Sequence, residues 1–95
     1  MIAQHYNNPC IVVWTPFNER WGQFKTAQVV DLTRQQDSTR IINPASGGNF
    51  HRGVGDIVDL HTYSDPIVLN FDDPEKPLVL GEYGGLGLNI EGHRW

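Results

Sequence analysis

The stretch "IVVWTPFNERWGQ", residues 11–23, decides the fold. Ile11-Val12-Val13-Trp14 is an unbroken run of strand-forming residues. It runs into Pro16, which has no N–H to give to a ladder, and the chain then presents the polar pair Asn18-Glu19. A carboxylate at the end of a buried strand admits two readings. It is a reactive group on the rim of a sheet, or Asn18 caps a following helix whose acidic first turn begins at Glu19.

Three more apolar runs lie downstream: Arg40-Ile41-Ile42-Asn43, Asp56 to His61, and Pro77-Leu78-Val79-Leu80-Gly81. Continuous rather than alternating runs suit strands covered on both faces, the habit of parallel sheets. Parallel neighbours need crossovers of about a dozen residues or more, and every gap here is long enough. In the first gap Phe24, Ala27 and Val30 step by three, with Val29 and Leu32 beside them. That spacing predicts a helix from about Gly22 to Gln36 with this stripe against the core, closed by Asp37-Ser38-Thr39. The segments "PASGGNFHRGVG" (44–55) and "SDPIVLNFDDPEK" (64–76) carry turn formers without a helical period and read as loops. The fold class is therefore α/β with parallel strands.

Composition narrows the function. Ninety-five residues are one domain at most, or a piece of a larger one. The net charge of −4, with no basic cluster, speaks against a nucleic-acid partner. No apolar run is long enough to span a bilayer, and no charged-then-apolar leader opens the chain, so no membrane partner is expected. The single cysteine, Cys10, has no internal partner and reads as a small buried filler. His5, His51, His61 and His93 lack metal-site spacing. The run Gly84-Gly85-Leu86-Gly87 does not complete a dinucleotide fingerprint, and neither a phosphate-binding loop nor a nucleophile elbow occurs. Neither metal nor cofactor is expected.

In parallel α/β folds the ligand site lies where loops leave the carboxyl ends of the strands. The first exit carries Asn18 and Glu19. The second carries Asn43, Ser46 and Gly47-Gly48, the third His61 and Tyr63, the fourth Glu82 and Tyr83. Two glutamates on one rim suit glycoside hydrolysis, in which one carboxyl protonates the departing oxygen and the other meets the positive charge developing on the sugar.

These residues carry a resemblance. "NNPCIVVWTPFNERWGQ" resembles the fourth-strand segment of glycoside hydrolase family 2, the family of β-galactosidases, β-glucuronidases and β-mannosidases, and "PLVLGEYGGLG" resembles its seventh strand. "RIINPASGG" and "IVDLHTYSDP" are similar to the fifth and sixth strands, in order between them. The resemblance implies a partial TIM (β/α)₈ barrel covering strands four to seven, residues 1–95 being a fragment of the catalytic barrel domain. It implies a retaining, β-galactosidase-like hydrolase acting on a carbohydrate by a two-glutamate double displacement. Glu19 would be the acid/base and Glu82 the nucleophile. Asn18 would bond the sugar 2-hydroxyl, Tyr63 would bond the nucleophile, and His61 would line the pocket beside it. Trp14 and Trp21 would be pocket walls on which sugars stack.

The rest of the barrel and the accessory β-sandwich domains would be partners supplied by the full-length chain. With open sheet edges and limited burial at this size, the fragment alone is expected to be inactive. Other readings stand beside these. Glu82 also fits a plain strand end before a glycine turn, His61 a core histidine, and Trp14 barrel packing. His51-Arg52 reads as a loop pair that reaches substrate or is merely exposed, and Glu91 and His93 receive no role. At the level of the chain, the alternatives are a non-catalytic or sugar-binding remnant and another two-glutamate barrel such as a family 5, cellulase-like enzyme.

Overall fold

The computed structural model describes residues 1–19, 22–48, 51–67, 73–85, 87 and 89–93. In chain order the elements are α1 (Ile2–His5), β1 (Val13–Trp14), α2 (Thr26–Gln36), β2 (Ile41–Ile42), β3 (Val58–Thr62) and β4 (Leu78–Tyr83). β1 and β2 are parallel, with Val13 opposite Ile41 and Trp14 opposite Ile42. A further parallel bridge, Phe17 to Ala45, extends the pairing onto the strand exits. With α2 as the crossover, this is a βαβ unit.

The helix begins four residues later than its periodicity predicts. Lys25 sits in the left-handed region (φ 46°), which ends the preceding loop, and the Thr26 hydroxyl donates to Gln23 Oε1 at 2.9 Å. This start changes the buried face. Thr26, Val30 and Thr33 face inward, at positions i, i+4 and i+7. Of the expected stripe only Val30 is buried; Ala27 is exposed, and Phe24 precedes the helix and lies exposed, edge-on to Phe17.

Asp37 ends the helix and fastens it to the sheet. Its side chain is fully buried and accepts from Trp14 Nε1 (2.8 Å), Thr39 N (2.9 Å), Thr39 Oγ1 (2.7 Å) and Arg40 Nη1 (2.6 Å). Burial alone pushes a carboxyl upward in pKa, but the bonds from Thr39, Trp14 and Arg40 win and hold Asp37 well below the usual carboxylate range. Arg40 also donates to the carbonyls of Ile11 (2.7 Å), Tyr6 (2.7 Å) and Asn8 (3.1 Å), tying the N-terminal segment to the start of β2. Cys10 belongs to that segment, in the turn before β1, and is exposed rather than buried. Among the described residues the apolar core comprises Trp14, Val30, Ile42, Ala45 and Val58.

β3 and β4 form the second parallel pair. The four strands do not make one continuous ladder; the sheets are β1-β2 and β3-β4. The break has a local cause. The Ile42 N–H is taken by the Asp56 side chain (Oδ2, 2.7 Å) rather than by a strand, Pro44 has no N–H to give, and Gly47 and Gly48 turn the chain with φ of 71° and 95°. Single bonds link the halves instead, Asp56 N to Ile42 O at 2.9 Å and Gly48 N to Asp59 O at 2.8 Å. Asp56 is itself held ionised: burial raises its pKa, but hydrogen bonds from Arg34 and Ile42 N bring it below the ordinary value. Full two-sided cover of the strands is not reached, for Ile41 and Leu78 are more than one-third exposed. Among the described residues no helix is long and apolar enough to cross a membrane.

Candidate active site

The exits of β1 and β2 are zipped together by the Phe17–Ala45 bridge and by Ser46 N donating to Phe17 O at 3.1 Å. Beyond this zipper the backbone of Glu19 turns into the left-handed region, φ 55°, which costs a non-glycine residue about 1–2 kcal/mol. Ser46 holds it there. Glu19 N donates to Ser46 Oγ at 2.9 Å, and the same hydroxyl donates to Asn18 Oδ1 at 3.0 Å. With that oxygen engaged, a ligand contact from Asn18 falls to its amide N–H groups.

Alternation along β3 puts Asp59, His61 and, just past the strand end, Tyr63 on one face. The Tyr63 hydroxyl lies 2.6 Å from Glu82 Oε2 and 3.1 Å from Glu19 Oε1. It has one proton, and the shorter contact is with Glu82. That bond to Glu82, followed by desolvation and the bond to Glu19, keeps the phenol protonated far above its usual range. His61 Nδ1 faces the same pair, 3.5 Å from Glu82 Oε2 and 3.9 Å from Glu19 Oε1, while Nε2 lies 3.7 Å from Asp59 Oδ1. Its side chain is 6% exposed, and Gly47 forms one wall of its niche; a Cβ on Gly47 would lie 2.6 Å from His61 Nδ1.

One oxygen each of Glu19 and Glu82 and one ring nitrogen of His61 all lie within 4.8 Å of one another. Donors this close suit a small cation in principle. The Tyr63 hydroxyl lies against the same two carboxylate oxygens. Chemically it offers two carboxylates across a gap, one of them left-handed and tethered through its backbone, with a shared phenol between them.

The expected site residues divide cleanly. Glu19, Glu82, Tyr63 and His61 come together, and Asn18 adjoins them through Ser46. Trp14 does not. Its ring is buried and its indole N–H is bound to Asp37 at the end of α2, so it packs the βαβ unit rather than offering a face to a sugar. Trp21 lies outside the described residues. His51, Arg52, Glu91 and His93 are exposed, and none joins the cluster.

Three further residues support the cluster. Ser46, at the exit of β2, carries no motif that marks its role in the sequence. Asp59 is buried, accepting from Asn43 Nδ2 at 2.7 Å and from Gly81 N at 3.1 Å. Its signal was available, since an acid inside an apolar run, two residues before His61 and four before Tyr63, shares their face. Gly81 is the third. No protein-family model matches this chain, and no curated protein matches it significantly.

Proposed function

We propose that Glu19 and Glu82 are the acid/base and nucleophile of a retaining glycoside hydrolase acting on β-glycosides, on a partial (β/α)₈ barrel of the family 2 type. The observation that carries the reading is the spacing. Oxygens of the two glutamates approach within 4.8 Å, and retaining pairs stand about 5–5.5 Å apart, whereas inverting pairs leave about 6.5–9.5 Å for a water.

The steps follow from the arrangement. Glu82, ionised, attacks the anomeric carbon as Glu19 passes its proton to the departing glycosidic oxygen. The glycosyl–Glu82 ester is then hydrolysed by a water from which Glu19 removes a proton, and overall configuration is kept. Tyr63 donates to Glu82 at 2.6 Å and so holds the attacking carboxylate in place. The 2-hydroxyl of the sugar falls to Asn18, beside Glu19 and fixed by Ser46.

Aryl β-glycosides test the reading, on the chain alone and within the full-length product of its gene. Glu82→Ala is expected to abolish turnover, with azide restoring it to give a product of inverted configuration. Glu19→Ala is expected to spare activated leaving groups and lose poor ones, with azide giving retained product. Swapped stereochemistry would mean reversed roles. Undiminished activity in either variant would remove that residue from the mechanism.

A further inference from the structure

The register of β3 against β4 slips once. Val58, Asp59 and Leu60 face Leu78, Val79 and Leu80, but His61 faces Glu82 and Thr62 faces Tyr83. Gly81 has no partner: it is a bulge. Without it, strict alternation would set Glu82 on the sheet face opposite to Asp59, His61 and Tyr63. The extra residue brings Glu82 onto their face, where it meets Tyr63 at 2.6 Å.

The bulge is fitted to one side chain. The Gly81 N–H, displaced from the ladder, donates to Asp59 Oδ1 at 3.1 Å, while Asp59 Oδ2 is anchored by Asn43 Nδ2 at 2.7 Å. A Cβ on Gly81 would overlap the Asp59 carboxylate. Gly81 is not in the left-handed region, so the glycine is required by this close approach and not by its backbone angles.

We infer that Asp59 and Gly81 form a positioning device, a carboxylate plugging a glycine bulge, whose work is to turn Glu82 onto the face of His61 and Tyr63. Its catalytic meaning rests on Glu82 being the nucleophile; its geometry does not.

The test therefore has a readout besides turnover. In the full chain, ionisation of Tyr63 is followed by ultraviolet difference titration against a Tyr63→Phe control. In Gly81→Ala and in Asp59→Ala, Glu82 leaves the phenol, and Tyr63 titrates back toward the ordinary range of about 10. Asp59→Asn keeps an oxygen for the Gly81 N–H. The Asn43 amide, whose buried Oδ1 has no hydrogen-bond partner among the described residues, can turn to receive the new N–H₂, so Tyr63 stays as in the wild type. Activity on an aryl β-glycoside is expected to fall about 100-fold in the first two variants, the scale of a misplacement of about 1 Å, and far less in Asp59→Asn. Should Gly81→Ala not fold, the contrast between Asp59→Ala and Asp59→Asn decides. An unchanged Tyr63 titration in folded Asp59→Ala or Gly81→Ala overturns the device. A shifted titration in a protein that never cleaves glycosides would instead sink the glycosidase reading and leave the device standing.

Discussion

Replacing Ser46 with Ala removes one oxygen and two bonds, those to Glu19 N at 2.9 Å and Asn18 Oδ1 at 3.0 Å. At about 1 kcal/mol net for each bond, the held conformation of Asn18-Glu19 loses about 2 kcal/mol. The left-handed backbone at Glu19, φ 55°, costs about 1–2 kcal/mol, and once released it relaxes and recovers much of that loss. Global stability should thus fall by only about 1 kcal/mol or less. The fraction of molecules with Glu19 in place should fall further, by up to about 30-fold, since about 1.4 kcal/mol is a factor of ten. The two quantities are read separately, stability by urea denaturation and function by kcat/KM on aryl β-glycosides. Substrates with poor leaving groups, which need the Glu19 proton, should suffer most, and Ser46→Thr, which keeps the hydroxyl, should recover much of the loss. The reasoning is refuted if Ser46→Ala loses the full 2 kcal/mol or so of stability while kcat/KM stays unchanged, or if good and poor leaving groups suffer alike.

Two further outcomes concern the scaffold. Asp37 has a folded pKa below its unfolded one, so its contribution is complete above the ordinary carboxylate value of about 4 and is lost as pH falls through that value toward the folded one. Asp37→Asn should therefore be less stable at pH 7, yet lose less between about pH 5 and pH 2; denaturant midpoints at several pH values check this, and parallel acid limbs would contradict it. Ile42, fully buried in β2, should cost about 2–5 kcal/mol when cut to Ala and about 0.5–1.5 when cut to Val, measured by the same denaturation; a loss below 1 kcal/mol for Ala would mean that the core there is loose.

What the sequence disclosed, and what it hid, follows from the range of each signal. The run into Pro16 and Asn18-Glu19 is local, and it announces β1 and its polar exit. The α2 periodicity is also local and marks Val30 as buried, but the left-handed Lys25 that fixes the helix start is not encoded in any pattern of apolar residues, and Phe24 and Ala27 of the same stripe lie exposed. The division into two sheets depends on Asp56 capturing the N–H of Ile42, fourteen residues away, a choice that apolar runs cannot express. Trp14 is ambiguous in a sequence because an indole serves equally as a platform or as packing; Asp37, 23 residues on, resolves it. The pairing of Glu82 with Tyr63 was read through a family resemblance. The bulge that accomplishes it was invisible, because a bulge exists only between two strands whose register is known. A lone glycine inside a strand was the available hint.

The ties of the βαβ unit close short circuits of chain. Trp14 to Asp37 spans 23 residues and Arg40 to Ile11 spans 29, whereas the bond from Tyr63 to Glu19 spans 44 and joins the two sheets. Contacts of greater sequence separation carry the larger closure entropy and form later on the way to the native state. By this measure the junction of the two sheets at Tyr63 and Glu19 is expected to close after the Trp14–Asp37–Arg40 ties, so that the two carboxylates come together late. Changes at Glu19 are then expected to act mainly on the rate of unfolding, and changes at Asp37 or Arg40 on the rate of folding.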